Sequence, residues 1–459
     1  MYSVDRTICA ISSPAGTGAI AIVRLSGEKA IELSSNILQF PEKFLKSKSG
    51  QLVFNRILDE NNEMLDEIMI VKFKSPHSYT GENMTEIYCH GSNFIQNEIV
   101  NLLLRQGVCI AKPGEFTKRA FLNSKMDLSQ SEAVADIISS NSSEFHRLAI
   151  NQMKGKVSSE INLLRDKMIE LTALMELELD FGEEDVEFAD RNNILELMLQ
   201  LKNRVKVLID SFRYGNAIKT GVPVVIAGEP NTGKSTLLNV LLKEERAIVS
   251  SSPGTTRDTI EEELIIDGIK FRLIDTAGIR KAKNKIENEG VKRSFDSIKK
   301  AQLILLVIDA KISDIHVVRD MELFQTKLTD NQYLIPVFNK IDLLKPDKKI
   351  NIPESLNPIF ISAKNNENID ELCNRMTDYV KSLQSGSNDV IITSARHLES
   401  LMSTNDALKR AEVALKDGLS GDFVSQDIRE AMYFLGEITG QISNEEVLGA
   451  IFEKFCIGK

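Results

Sequence analysis

At 459 residues and 51.3 kDa the chain is too long for one ordinary hydrophobic core and reads as two to four domains. Lys and Arg number 56 against 66 Asp and Glu, a formal charge of −10 with a pI near 5.3, which advertises no dominant nucleic-acid footprint; the 42% hydrophobic and 27% charged shares exclude a largely disordered chain. No apolar run reaches the roughly 18 residues of a membrane span, the start MYSVDRTICAISS lacks a basic region followed by an apolar one, and the five dispersed cysteines form no CxxC pair, so the expectation is a cytoplasmic protein without structural zinc or disulfides.

Up to about residue 118, short apolar runs alternate with turns. Ala19 to Leu25 is interrupted by Arg24, Met69 to Phe73 is a second run, and Glu86 to Cys89 precedes a helical stretch from Asn93 to Arg105. This predicts an α+β domain over 1–118. Between Arg119 and Tyr214 leucines and methionines recur at three- and four-residue spacing, as in INLLRDKMIELTALMELELDF, and the pattern returns from about Ala395 to Leu435. The simplest architecture is a helical domain assembled from 119–215 and 386–459, with a third domain, 216–385, inserted between its halves. The insert alternates strands and helices in the doubly wound manner of Ras-like α/β domains: VPVVIAG, FRLIDTAG, LILLVIDA, YLIPVFNK and PIFISAK each end in a polar cluster, where ligands bind in open α/β sheets.

Gly228 to Ser235 spell GxxxxGKS between the strand Val222 to Ala227 and the helical run TLLNVLL. Such a loop turns backbone N–H groups toward a β-phosphate at a helix N-terminus, Lys234 neutralises phosphate charge, and the Ser235 hydroxyl ligates Mg²⁺. Asn231, Thr232, Gly233, Lys234, Ser235 and Thr236 are therefore expected at the nucleotide. Asn339, Lys340 and Asp342 form NKxD at the end of an apolar strand, where a carboxylate accepts the N1–H and 2-amino hydrogens of guanine, a donor pair that adenine lacks. Ser362, Ala363 and Lys364 supply a loop beside the guanine O6. Asp275, Thr276, Ala277 and Gly278 follow another strand, with Asp275 expected near magnesium and Gly278 near the γ-phosphate. Four elements in this order predict a GTPase.

Ile279 follows DTAG where a Ras-like enzyme carries its water-orienting glutamine, so hydrolysis needs another group. Arg257 and Arg280 are candidates for an arginine finger; a monovalent cation would stabilise the same developing charge. Asn231 and the run Ser250, Ser251, Ser252, Pro253, Gly254, Thr255 and Thr256 offer side-chain and carbonyl oxygens for potassium, and Thr256 would complete the Mg²⁺ shell. A polar, solvated loop is the plainer reading of that run.

Six stretches in order resemble the MnmE (TrmE) family of tRNA modification GTPases: SSPAGTGAIAIVRLSG, SYTGENMTEIYCHGS, PGEFTKRAFLNSKMDLSQSEAVADII, GTTRD, DTAGIR and the terminal Cys456, Ile457, Gly458, Lys459. The resemblance covers essentially the whole chain. It implies a reduced folate, 5,10-methylenetetrahydrofolate or 5-formyltetrahydrofolate, bound by the dimerising N-terminal domain, with Arg24, Glu82, Lys125 and Lys459 at the matching positions. On residue chemistry alone, Arg24 within an apolar strand reads as an edge residue or ion-pair partner. The resemblance also implies potassium held by Asn231 and the backbone of Ser250, Ser252 and Thr255, and a water-orienting Glu287, with Glu289 close by. Cys456 is implied to be required for the modification reaction, whether as nucleophile, proton donor or positioning group. A homodimer that works with the FAD-dependent partner MnmG (GidA) at C5 of the wobble uridine of certain tRNAs completes the expectation.

The acidity is local. Lys plus Arg against Asp plus Glu is 12 to 13 in residues 1–118 and 25 to 24 in 216–385, whereas the remaining segments hold 19 to 29. An acidic helical domain predicts that the partner supplies most of the basic surface for tRNA.

Overall fold

The computed structural model describes residues 6–181, 191–243, 248–249, 262–274, 298–311, 328–329, 331–344, 356–384, 390–442, 445–453, 455 and 458. They fall into two compact units, one formed by 1–139, 152–186 and 417–459, the other by 140–151 and 187–416.

In the first unit β1 (Ile8–Ile11), β2 (Gly18–Ser26), β3 (Val53–Leu58), β4 (Met64–Phe73), β5 (Met84–Gly91) and β6 (Cys109–Ile110) form a sheet ordered β3-β4-β5-β2-β1-β6. Only the β1–β6 pair is parallel. The period of two along β2 buries Ala21, Val23 and Leu25 in a core with Ile99, Leu102 and Leu103 of the helix Asn93–Arg105, and so turns Arg24 to the opposite face. There the β2–β5 register sets Arg24 directly against Glu86. The run expected from Met69 starts five residues earlier, at Met64, because pairing with β3 extends the strand beyond its most apolar part. The helices Lys156–Phe181 and Gly421–Thr439 pack on each other in this unit.

The second unit holds β7 (Val222–Ala227), β8 (Ile248–Val249), β9 (Glu262–Ile266), β10 (Ile269–Leu273), β11 (Leu303–Asp309), β12 (Tyr333–Asn339) and β13 (Ile359–Ile361), ordered β13-β12-β11-β7-β10-β9-β8. The run from β13 to β10 is parallel. Both faces are buried: Val224, Ile226, Leu305 and Val307 enter one apolar cluster, and Val225, Ala227, Ile304 and Leu306 the other. That is why these strands read as unbroken apolar runs. The β9–β10 hairpin went unread in the sequence, although its two-residue turn, Asp267 (φ 49°) and Gly268 (φ 77°), is the Asp-Gly pair that favours such a connection. The helices Arg191–Thr220 and Ala395–Lys416 pack together here, with Glu412 accepting from Lys202 (2.5 Å) and Lys416 (2.7 Å).

Each unit thus takes one long helix from before the inserted sequence and one from after it. The helix Glu115–Leu122 runs through position 118 and Arg191–Thr220 through position 215, so two of the three expected domain limits fall inside helices, and the third, at 385, lies outside the described residues.

Candidate functional site

In the second unit the phosphate loop leaves β7 at Gly228. Its φ of +142° and the Val307 carbonyl, which any Cβ there would strike, restrict the position to glycine. Gly233 (φ +98°) caps the helix Lys234–Leu241, whose first turn carries Ser235 and Thr236; a Cβ on it would strike the Asn339 amide. Asn339 is itself buried and joins three loops that the sequence reading placed separately. Its Nδ2 donates to the Thr232 carbonyl (2.9 Å), and its Oδ1 accepts from the N–H groups of Lys340 (2.8 Å) and Ala363 (3.0 Å).

Lys340 Nζ donates to the Asn231 carbonyl (2.5 Å) and pairs with Asp309 at the end of β11 (2.7 Å). Burial works against the Asp309 carboxylate, but Lys340 and the Lys311 N–H outweigh it and hold its pKa below the ordinary value. Sequence reasoning missed Asp309; its place at the carboxyl end of a central parallel strand was the available signal. Ser362 Oγ donates to Asp342 (2.7 Å), fixing the carboxylate expected to read the base, and Lys364 of the same SAK loop is exposed. Lys234 Nζ donates to the carbonyls of Gly228 (2.8 Å) and Glu229 (2.6 Å), and burial pushes its pKa down. Ser250 to Thr256, Arg257, Asp275, Thr276, Ala277, Gly278, Ile279, Arg280, Glu287 and Glu289 lie outside the described residues.

In the first unit a second constellation forms on the β2 face away from the core. Arg24 donates through Nε to Glu86 (2.9 Å) and through Nη1 to the Gly458 carbonyl (3.3 Å), with the rings of Tyr79 and Phe116 about its guanidinium at 5.7 and 5.8 Å. It is the ion-pair partner that residue chemistry suggested. Ser12 Oγ, just past the end of β1, donates to the same Gly458 carbonyl (3.0 Å), so Gly458 is bound to β2 and to the residue that follows β1. Gly458 has φ +95°, and a Cβ there would lie 2.5 Å from the Ile11 carbonyl oxygen.

Glu82 accepts from Ser26 Oγ (2.7 Å) and from Arg119 Nη1 at both oxygens (3.2 and 2.9 Å). Arg119 Nη2 donates to Glu115 (3.1 Å) and to the Arg6 carbonyl (3.0 Å). Burial would raise the Glu115 pKa, yet the Lys112 N–H, Arg119 and Arg6 hold it below the ordinary value. Lys125 Nζ donates to the Pro76 carbonyl (3.0 Å) and its stem lies against Gly81, next to Glu82. Arg119, Glu86 and Ser26 were not read from the sequence; the period of two along β2 and β5 could have found Glu86. Cys456, Ile457 and Lys459 lie outside the described residues.

The strand order, the glycine-pinned phosphate loop and the NKxD loop stapled to it define a Ras-like guanine-nucleotide-binding domain, carried in a multidomain chain with an α+β N-terminal domain and long helices. The family pattern described as "MnmE helical domain" matches residues 128–456, and that described as "GTP-binding protein TrmE N-terminus" matches 7–125. The tRNA modification GTPase MnmE of Flavobacterium johnsoniae is 47% identical over 99% of this chain and 99% of its own length, and that of Bacteroides thetaiotaomicron is likewise 47% identical over 99% of both. The crystal structure of the G domain of the T. maritima FeoB iron transporter, 26% identical, covers 34% of this chain and 98% of its own with a TM-score of 0.24, which adds nothing to the sheet order above. The chain belongs to the MnmE (TrmE) family of tRNA modification GTPases.

Proposed function

We propose that this protein is the GTP-hydrolysing component of a wobble-uridine modification system. In this reading it works as a homodimer with the FAD-dependent MnmG (GidA) and installs an aminomethyl or carboxymethylaminomethyl group at C5 of U34 in certain tRNAs. The observation that carries the proposal is the meeting of the chain end with the N-terminal sheet. The Gly458 carbonyl accepts from Ser12 and Arg24 of the same unit that holds Glu82, which supports a reading in which Gly458, Arg24 and Glu82 serve one site.

The side chains fit the groups this reading requires. Asp342, held by Ser362, would present its carboxylate to a guanine edge, and the cradle at Gly228 and Gly233 leaves no space for a Cβ. Lys234, which now donates to two loop carbonyls, would neutralise phosphate charge, with Ser235 and Thr256 on Mg²⁺ and Asn231, Ser250, Ser252 and Thr255 around potassium. Glu287 would orient water. Glu82 would accept from a pterin, while Arg24, Lys125 and Lys459 would meet the anionic part of a folate. When bound, a reduced folate supplies a one-carbon unit. Arg24 is already paired with Glu86 and Gly458, so an anion there would share its guanidinium with existing acceptors. The acidity of the helical segments supports a reading in which MnmG carries most of the tRNA contact.

The test is mass spectrometry of wobble uridines in a strain lacking the protein; unchanged C5 modification would refute the proposal. Hydrolysis should be much faster in potassium than in sodium and should collapse in Glu287→Ala. Binding of 5-formyltetrahydrofolate should weaken in Arg24→Ala and on removal of Lys459.

A further inference from the structure

The segment 140–151 lies outside the inserted sequence yet belongs to the unit that holds the nucleotide-binding sheet. Phe145 and Leu148, on the helix Ser143–Met153, enter the same core cluster as Ile266 and Ile269, which flank the β9–β10 turn, and as Tyr214, Ala217 and Ile218 of the helix that runs into β7. The first turn of Ser143–Met153 is seated on the hairpin tip. The Glu144 N–H donates to the Gly268 carbonyl (3.3 Å), which satisfies a helix N-terminal donor with hairpin backbone. Ser143 Oγ occupies the space that a Cβ on Gly268 would need. Alongside, Asn141 Nδ2 donates to Glu263 (3.5 Å), whose other oxygen pairs with Lys270 on the opposite strand (3.2 Å). The seat therefore grips both arms of the hairpin.

The hairpin's place in the sequence gives the seat its consequence. β9 begins at Glu262, just after the run Ser250 to Thr256, and β10 ends at Leu273, two residues before Asp275. β10 also pairs in register with β7, the strand that leads to the phosphate loop. A strand of five residues spans roughly 17 Å, and β9 and β10 are paired from the turn at Gly268 to Glu262 and Leu273, so the hairpin links its tip to both far ends.

We propose that Ser143 and Gly268 are positioning residues for GTP hydrolysis: the helix turn at Ser143 holds the β9–β10 hairpin, which pairs with β7 ahead of the phosphate loop and, in the sequence, joins the two stretches expected at the γ-phosphate and the metal ions. The inference rests on the GTPase reading and extends it to a helix turn outside the inserted domain. Filling the seat from the hairpin side should lower kcat while leaving GDP affinity intact, because the phosphate loop, NKxD and the SAK loop lie outside the hairpin, whereas the stretches it joins are expected at the γ-phosphate and the metal ions.

The test uses the full chain with Gly268→Ala and Gly268→Asn, the second because asparagine tolerates positive φ, each also combined with Ser143→Gly to remove the obstructing hydroxymethyl group. The turnover number at saturating GTP should fall about tenfold in the single variants. Affinity for fluorescent GDP should stay within about twofold, and the double variants should recover most of the lost turnover. Wild-type turnover in the single variants would overturn the proposal. So would a loss that Ser143→Gly does not restore, which would locate the effect in turn strain, or a parallel loss of GDP affinity, which would indicate general disruption. A wild-type protein that binds GTP and leaves it intact would refute the GTPase reading, and the seat's role with it.

Discussion

Arg119→Met isolates the buried charge network of the N-terminal unit. The guanidinium makes three hydrogen bonds to two carboxylates and a fourth to the Arg6 carbonyl, with a side-chain exposure of 6% against 13% for Glu82 and 6% for Glu115. Once it is removed, Glu115 keeps Arg6 and the Lys112 N–H, but among the described residues the Glu82 carboxylate keeps only the Ser26 hydroxyl. Breaking a buried pair from one side costs roughly 3–5 kcal/mol, and the partners left to Glu115 put this case at the lower end, about 3 kcal/mol. At 1.4 kcal/mol per decade that is roughly a 100-fold faster exchange for amides whose protection depends on this unit.

The chain has no tryptophan and is multidomain, so hydrogen exchange read by mass spectrometry suits it better than a global melt. Peptides covering Met84–Gly91 and Glu115–Leu122 should lose protection, while those of β11 and β12 should not. Adding Glu82→Gln should restore more than half of the loss, because a neutral amide needs no cation. The effect also depends on pH. The Glu115 pKa is depressed in the folded state, so its contribution is present above the unfolded value and is lost as pH falls through the folded one; without Arg119 that acid-side loss should be smaller. Wild-type protection of both peptides in Arg119→Met would refute the reasoning.

In the proposed base site Asp342→Asn removes the charge and turns one of the two acceptor oxygens facing guanine into a donor, and at about 1.5–3 kcal/mol per charged hydrogen bond GTP affinity should drop roughly 100-fold or more, with xanthosine triphosphate gaining in its place; equal loss for both nucleotides would count against the base assignment. Gly458→Ala forces a methyl group against the Ile11 carbonyl at positive φ, so the chain end should detach and be trimmed faster by carboxypeptidase, with folate binding reduced; unchanged trimming would contradict the seat on β1. Burial pushes the Cys9 thiol up to about 12, with Cys109 adding to the shift, and burial likewise pushes Cys89 to about 11. At pH 8 iodoacetamide should therefore modify the half-buried Cys109 well before either of them, and early labelling of Cys9 would show that β1 opens in the native state.

The phosphate loop, NKxD, the SAK loop and the apolar strands of the insert were legible because each is a local pattern whose chemistry lies within a few residues. β7, β11 and β12 and the helix Asn93–Arg105 form where the runs predicted them. Long helices were equally plain, since a period near 3.6 is a local property. The sequence alone therefore determined the class of nucleotide, the alternation of domain types and the place where acidity is concentrated. Tertiary structure decided which distant residues meet. Arg24 finds Glu86 because strand register pairs residues 62 apart, Glu82 is held by Arg119 from a later helix, and Asn339 joins the phosphate loop 107 residues before it. It also decided to which unit each helix belongs. A helical stripe records that one face will be buried but not against what, so Ser143–Met153 reads as a continuation of the helices around it, while the packing of Phe145 and Leu148 carries its first turns into the core of the nucleotide-binding unit.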